Sequence, residues 1–220
     1  MCCGALCFDS VTKGVVSVVS AEVLIGVNKD NAGKIAGAIP KADLPELVGR
    51  LSEKDDKLRY AALLLLQSRS VANGDVYPFW DIFREKLKSD NSYQRSIGML
   101  LIAENARWDT ENKLDGMLLE YFALFHDEKP ITIRQSIQAL RSIIPYKPEL
   151  ADKIASALMS VSLQDIKETM RRSILLDILE ILLLIRRQRP HGAMDGYISE
   201  ALLGGILDKK SKNAVEAMLR

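Results

Sequence analysis

The chain has 220 residues, of which 48% are hydrophobic and 27% are charged, a balance that is typical of a folded protein and excludes a disordered one. Thirty Lys and Arg residues oppose twenty-nine Asp and Glu residues, so the formal net charge of +1 predicts no strong overall attraction to nucleic acid or to an anionic membrane. The most apolar stretch, Ile174 to Ile185, contains Asp177 and Glu180 and is shorter than the roughly 20 residues that span a bilayer. No membrane span is therefore predicted.

Residues 1–40 differ in composition from the remainder of the chain, because glycines interrupt any regular pattern there. These glycines are Gly4, Gly14, Gly26, Gly33 and Gly37. We predict an irregular or weakly helical N-terminal segment over residues 1–40, with one or two short, poorly capped helices. A helical domain is predicted over residues 41–220.

All three cysteines lie in the first seven residues, at Cys2, Cys3 and Cys7. An odd number of cysteines confined to one end cannot provide a disulfide framework for the chain, so a reducing, cytoplasmic location is predicted. A structural zinc site takes four ligands, and no histidine lies near these cysteines in the sequence. We therefore predict no metal site.

From Asp43 onwards, helical patterns alternate with short polar turns that contain proline, asparagine, aspartate and serine. Asp43 followed by Pro45 is typical of a helix start. Two consecutive helices joined by a short turn form a pair, and five such pairs are predicted. The predicted helices are 43–51 with 56–71, 75–88 with 91–107, 111–126 with 130–145, 148–160 with 165–187, and 191–207 with 211–220.

An arginine recurs near the start of the second helix in four successive pairs, at spacings of 36, 39 and 37 residues. We name these residues the arginine ladder: Arg59, Arg95, Arg134 and Arg171. A repeat of this length is typical of helical repeat proteins. Six positions before each ladder arginine, in the turn that precedes its helix, stand Glu53, Ser89, Glu128 and Asp165. Asp90 and Asp127 are the acids that lie one position from Ser89 and from Glu128. Charge-assisted bonds between such acids and arginines predict a structural role for the ladder and Asp165, with a phosphate-binding row as the alternative.

An acid in the turn and an arginine early in the second helix resemble the pattern of the HEAT-repeat family. The resemblance covers roughly residues 43–208, with a period slightly below the roughly 40–47 residues of that family. Ser89 and Glu128 depart from the aspartate of the family pattern. The resemblance implies an all-α fold, a right-handed α-α superhelix of about five helix pairs, and a concave face lined by the second helices.

Polar residues on the otherwise apolar second helices are candidates for partner contacts on that face. The positions directly after the ladder arginines are Tyr60, Ser96, Gln135 and Arg172, and further positions one or two turns along are Gln67, Glu104, Gln138 and Ser142. We predict a non-catalytic scaffold that binds a protein or peptide partner along these residues.

The remaining polar residues do not combine into a catalytic pattern. His126 and His191 are the only histidines, and neither is accompanied in the sequence by a nucleophile or a set of metal ligands. Asp177 and Glu180 share a helix face and are expected to face solvent or to pair with an arginine of a neighbouring unit. The glycines match neither a phosphate-binding loop nor a dinucleotide motif, so no cofactor is predicted.

Nucleic-acid binding is the alternative function. A basic cluster over residues 186–191 is a candidate for backbone contacts, although a solvated cap also explains it. Trp80 and Trp108 invite comparison with the alkylpurine DNA glycosylases, which are built from HEAT-like repeats. Trp80 is expected in the core, and Trp108 is followed by Asp109 but has Asn112, not an acid, one turn further on.

Overall fold

The computed structural model describes residues 19–189 and 192–219, and all regular elements within those ranges are helical. This confirms the predicted all-α class. Twelve α-helices lie in the described ranges, and several are extended by short 3-10 turns. None of the helices in these ranges has both the length and the apolar character needed to cross a bilayer.

Two short helices precede residue 40, and shorter and longer helices alternate after it as far as α10, whereas α11 and α12 are of nearly equal length. The early helices are α1, Ala21–Ile25, and α2, Ala32–Ala38. The first helices of the successive pairs are α3, Leu44–Gly49; α5, Trp80–Lys86; α7, Leu118–Ala123; α9, Ala151–Met159; and α11, Gly192–Leu203. The second helices are α4, Asp56–Ala72; α6, Ser92–Asn105; α8, Pro130–Ile143; α10, Glu168–Gln188; and α12, Lys209–Leu219.

Helices α4, α6, α8 and α10 begin and end within three residues of the predicted positions. Local side chains set two of these starts: Asp55 Oδ1 accepts the N–H of Lys57 at 2.8 Å, and Asn91 Oδ1 accepts the N–H of Tyr93 at 2.9 Å. Helix α8 begins with Pro130, whose missing N–H costs nothing at the first helical position. The sequence signals for these helices are local, which is why the prediction succeeds.

The predicted helix over residues 75–88 is wrong at its start. Residues Gly74–Phe79 form a 3-10 turn that contains Pro78, and α5 begins only at Trp80. Proline has no N–H to donate to an α-helical hydrogen bond, so the regular helix follows it and does not include it.

The predicted helix over residues 111–126 is wrong in its first half. The Asp109 carboxylate accepts hydrogen bonds from the N–H groups of Lys113 at 2.9 Å and Leu114 at 3.0 Å. Asn112 has a φ of 54°, which lies in the left-handed region and interrupts a right-handed helix. A side chain therefore bonds main-chain groups that an α-helix would otherwise use, and α7 is short as a result.

The second helices pack side by side in chain order, with α4 against α6, α6 against α8, α8 against α10 and α10 against α12. Helices α5, α9 and α11 form part of the other layer and pack against these helices. The layers enclose a continuous core that reaches from Val19 to Met194, and Trp80 and Phe83 are fully buried in it. The core position predicted for Trp80 is confirmed.

Residues 19–40 belong to the same core. Helices α1 and α2 pack against α4, and Leu24, Ala32 and Ile39 are buried there. Neither helix has a side-chain N-cap hydrogen bond. The division of the chain at residue 40 stays a prediction, and Cys2, Cys3 and Cys7 lie outside the described residues.

Side-chain hydrogen bonds between different helix pairs have a characteristic sequence separation. In the ranges that the structure describes, most of them join positions 31 to 43 residues apart. The exceptions join segments that are adjacent in the chain, as Arg69 with Asp75 and Arg186 with Asp195 do. Ser96 with Gln135 and Arg84 with Glu120 are examples, at separations of 39 and 36. Each unit therefore bonds to its immediate neighbours along the chain, at intervals close to the spacing of the arginine ladder.

Helix α6 passes close to α5 at Gly98. A Cβ atom at this position would lie 2.5 Å from the main-chain oxygen of Phe83 and 3.1 Å from Cδ2 of Leu87. The first distance is an overlap with main chain, which a side-chain rotation does not relieve. Only glycine therefore permits this approach of the two helices.

The substitution Gly98→Ala is expected to lower the free energy of unfolding by about 1–3 kcal/mol, because α5 and α6 must move apart. Gly196→Ala is the control, since Gly196 lies within α11 and a Cβ atom there would meet nothing within 4 Å. The control should raise the free energy of unfolding by up to about 1 kcal/mol, because alanine favours the helix. Urea denaturation measures both, and stabilisation at both positions would contradict the close approach.

Candidate partner-binding cleft

A cleft of about 770 Å³ lies across α4, α6 and α8. Its volume is within the range of about 300–1,000 Å³ that is usual for ligand-binding clefts. Aliphatic side chains on two neighbouring helices provide an apolar lining: Leu63, Leu64, Ile97 and Leu100. The remaining lining residues are Lys29, Asp56, Lys57, Arg59, Tyr60, Gln67, Ser92, Tyr93, Ser96, Lys129, Ile131 and Gln135.

Several of the residues predicted to contact a partner meet in this cleft. Tyr60 and Gln67 come from α4, Ser96 from α6 and Gln135 from α8. Ser96 Oγ donates a hydrogen bond to Gln135 Oε1 at 2.6 Å, which connects two neighbouring helices. Residues separated by about one repeat in the sequence are therefore neighbours in space.

Three of the ten large apolar side chains that are exposed in the described ranges line the cleft. Tyr60 is 49% exposed, Tyr93 65% and Ile131 54%. Tyr93 and Ile131 were not among the predicted contacts, and they are the second residues of α6 and α8. An apolar residue at this helical position on two successive second helices was the available signal. Apolar groups that remain in water in this arrangement favour contact with a partner.

The charges that line the cleft are mostly positive. Lys29, Lys57, Arg59 and Lys129 face one carboxylate, Asp56, which already bonds to Arg59. Lys29 and Lys57 form no ion pair with any described residue, and the Lys129 ammonium lies 3.4 Å from the exposed Glu128 carboxylate. The Arg59 guanidinium also lies over the Tyr93 ring, 5.6 Å from its centre. The cleft therefore combines an apolar lining with uncompensated positive charge.

The other predicted partner contacts are engaged within the molecule. Gln138 Nε2 donates to Asp177 Oδ1 at 2.8 Å, and Ser142 Oγ donates to Glu104 Oε1 at 3.0 Å. Arg172 Nη1 donates to Asp208 Oδ2 at 2.6 Å. These residues do not line the cleft, and their hydrogen bonds connect neighbouring units.

Arg95 of the ladder bonds to two turns at once. Its Nε and Nη2 donate to the two carboxylate oxygens of Asp127 at 2.6 and 2.8 Å. Its Nη1 donates to the main-chain carbonyls of Ser89 at 2.7 Å and Asp90 at 3.0 Å. The Arg95 and Asp127 side chains are only 11% and 5% exposed, and the hydrogen bonds to Asp127 raise the pKa of Arg95. This arginine therefore holds its own turn and the turn of the next pair together.

Arg134 pairs with an acid on a helix and not with an acid in a turn. Its Nε donates to Asp177 Oδ2 at 2.6 Å, and Gln138 adds its hydrogen bond to the same buried carboxylate. Glu180, one turn further along α10, pairs with Arg141. Asp177 and Glu180 thus pair with arginines of the preceding unit, which was one of the two predicted roles.

The two ends of the ladder bond to main-chain groups. Arg59 Nη1 donates to the carbonyl of Glu53 at 2.9 Å, and Arg171 donates to the carbonyls on either side of Asp165, at 2.9 and 3.0 Å. The common feature of Arg59, Arg95 and Arg171 is therefore a bond to carbonyl groups of the preceding turn. Carbonyl acceptors need no particular side chain, so the sequence around the turn can vary.

Asp109 occupies a saturated, buried position. Its carboxylate accepts from Tyr77 Oη at 2.9 Å and from two main-chain N–H groups, and the buried Lys147 ammonium lies 3.2 Å from it. Burial alone would raise the pKa of this carboxyl, but the main-chain N–H groups, Tyr77 and Lys147 together lower it. Trp108 Nε1 donates to the carbonyl of Ser70 at 2.7 Å. These bonds satisfy Trp108 and Asp109, two of the residues named in the comparison with DNA glycosylases.

The remaining candidates contact neighbouring helices or are exposed. In the basic cluster, Arg186 bonds to Asp195, and the Arg189 guanidinium lies 3.4 Å from the Asp152 carboxylate. His126 is exposed at the end of a 3-10 turn. His191 lies outside the described residues.

No protein family model, curated protein or solved structure matches the chain. Across residues 19–189 and 192–219, no group of three or more His, Cys, Asp and Glu side chains is placed to hold a metal ion. What the cleft can bind therefore follows from its own shape and charge.

The substitution Arg95→Ala is expected to lower the free energy of unfolding by roughly 3 kcal/mol, because it leaves the buried Asp127 carboxylate unpaired. Arg172→Ala is the control, since its pair with Asp208 is about half exposed and should contribute much less than the Arg95 contacts. Urea denaturation at neutral pH measures both effects. Equal costs would show that the Arg95 contacts do not hold the two units together.

The substitution Tyr77→Phe is expected to cost about 1 kcal/mol at pH 7, because it removes a hydrogen bond to the ionised Asp109 carboxylate. The lowered folded-state pKa of Asp109 means that this carboxylate stabilises the fold above the ordinary pKa of about 3.9 and loses that effect as the pH falls through the folded value. The difference between the wild type and Tyr77→Phe should therefore stay constant from pH 7 to about pH 4 and shrink as the pH is lowered further, through the lowered folded-state pKa. A difference in unfolding free energy that does not shrink there would contradict the role of Asp109.

Proposed function

We propose that the chain is a HEAT-like α-solenoid, in which about five helix pairs form a right-handed superhelix. In this proposal it is a non-catalytic cytoplasmic scaffold that binds a protein or peptide on its concave face, at the cleft of α4, α6 and α8. The single observation that carries the proposal is that three exposed apolar side chains, Tyr60, Tyr93 and Ile131, line one cleft together with polar groups.

The helix contacts support the architectural part of the proposal. Second helices pack in chain order, and most side-chain hydrogen bonds between units join residues 31 to 43 positions apart. Both features are expected of a repeat stack, in which every unit contacts its nearest neighbours. Arg95 adds the bond between successive turns that the family pattern implies.

The composition of the cleft supports a peptide as the ligand. Helices that pack side by side are about 8–10 Å apart, so the cleft extends about 16–20 Å from α4 to α8. An extended peptide rises about 3.3 Å per residue, which corresponds to about five or six residues. The Gln67 amide and the amide NH2 of Gln135, whose Oε1 already accepts from Ser96, are suited to a peptide main chain, and the apolar positions between them are suited to its side chains.

Nucleic-acid binding is the second candidate, because Tyr60 and Tyr93 are exposed beside Lys29 and Lys57. Aromatic rings near lysines are typical of sites that stack single-stranded bases. This candidate predicts salt-sensitive binding of a DNA single strand of about 12 nucleotides in buffer of low ionic strength. Loss of that binding in a variant that lacks Tyr60 and Tyr93 would favour it over a peptide.

The peptide proposal is tested by selecting binders from a library of random peptides of about eight residues on the intact chain. A synthetic copy of a selected peptide is then titrated by calorimetry. The double variant Tyr60→Ala/Ile131→Ala should weaken its binding at least tenfold, since truncation of central apolar contacts typically costs about 1–2 kcal/mol or more. One binding site per chain is expected.

The double variant Tyr146→Ala/Leu119→Ala is the matched control, because it truncates an aromatic and an aliphatic side chain that are exposed outside the cleft. It should bind the peptide as the wild type does. Melting temperatures of both variants check that the fold is intact. The proposal is wrong if no peptide is enriched, or if the cleft variant binds as tightly as the control.

A further inference from the structure

We infer that the cleft selects an acidic peptide, in which one or two apolar side chains are flanked by aspartate or glutamate. This inference rests on the proposed function and assigns the chemistry of its ligand. It follows from the charge of the cleft, since a chain of net charge +1 places four cations and one carboxylate around this apolar recess.

The cations of the cleft are available to a ligand. Lys29 and Lys57 are exposed and have no ion-pair partner within the described residues, and Lys129 has only the exposed contact with Glu128. They are contributed by three separate parts of the fold: the turn before α2, the first turn of α4 and the residue before α8. Carboxylates of a ligand can therefore contact an ammonium group at several places around the edge of the cleft.

The apolar lining defines what lies between those carboxylates. Leu64 and Leu100 line the cleft, and Tyr60, Tyr93 and Ile131 leave about half or more of their surface in water. An aliphatic or aromatic ligand side chain would remove this surface from water, which contributes about 25 cal/mol per Å² of apolar area. Charge alone would not provide this contribution.

The charge distribution along the second helices favours a short peptide over a nucleic acid. A nucleic-acid strand carries a charge at every nucleotide and needs a continuous basic groove. Beyond the cleft, Glu104 on α6 lies beside Arg107 and Glu180 on α10 pairs with Arg141, so these charges neutralise each other. A long polyanion would therefore run from the lysines onto neutralised pairs, whereas a peptide of about six residues ends before them.

The test uses the peptide library described above and compares two properties of the enriched peptides. Their sequences should contain an excess of Asp and Glu around at least one apolar residue. A selected peptide should also bind at least tenfold more tightly than its uncharged counterpart with Asn and Gln at the acidic positions. Raising the sodium chloride concentration should weaken binding of the acidic peptide, because exposed charges are screened.

The protein side of the test is the double variant Lys57→Gln/Lys129→Gln, with Lys41→Gln as the control. Lys41 is exposed in the turn before α3 and does not line the cleft. The double variant should bind the acidic peptide about tenfold more weakly, from roughly threefold per exposed charge contact, and its affinity for the uncharged peptide should not change. The control should match the wild type.

The outcomes separate this inference from the function on which it rests. If peptides bind and depend on Tyr60 and Ile131, but charged and uncharged forms bind equally, the acidic preference is wrong and the peptide-binding function stands. If no peptide binds in the cleft, both are wrong. If a DNA strand of about 12 nucleotides displaces the peptide and binds more tightly than it, the cleft is a nucleic-acid site and the inference is overturned.

Discussion

The side-by-side packing of α4, α6, α8 and α10 is the constraint on which the other features depend. A helix in such a row buries one side against the preceding helix, one against the following helix and one against the other layer, so a single narrow strip remains exposed. The exposed strips of adjacent helices then lie beside each other. This explains why Tyr60, Ser96 and Gln135, which are 36 and 39 residues apart in sequence, line one cleft.

The ladder arginines add a second constraint, because they hold the starts of the second helices to the turns. Arg95 bonds to carbonyls of its own turn and to Asp127 in the next one, so α6 and the turn before α8 keep a defined relative position. Tyr93 precedes Arg95, and Ile131 follows the turn that contains Asp127. Tyr93 and Ile131 therefore lie at the same edge of the cleft. The bond between Arg95 and Asp127 fixes their relative position, although Asp127 does not line the cleft and neither does Arg95.

The second helices could be predicted from the sequence because their signals are local: caps such as Asp55 and Asn91 and long apolar repeats. The irregular starts at residues 74–79 and 109–117 could not, because they depend on Pro78 and on the tertiary bonds of Asp109. The cleft was predicted in part. Residues after the ladder arginines were found by helix register, whereas the exposure of Tyr93 and Ile131 depends on packing. The same register also selected Gln138, Ser142, Glu104 and Arg172, whose polar groups are used in bonds between units.

The near-zero net charge of the chain and the positive cleft have a common cause. Many acids are paired with cations between units, as Asp127, Asp177, Glu180 and Asp208 are, and these pairs neutralise the charge over much of the structure. The cleft contains only one carboxylate, Asp56, among its lining residues, so its lysines remain without a compensating charge. Long-range attraction from a net charge of +1 is weak, and an acidic ligand gains from these lysines only within about a Debye length of them, roughly 10 Å in moderate salt. Selectivity at this surface therefore has to come from contact, where the apolar lining and the cations act on the same ligand.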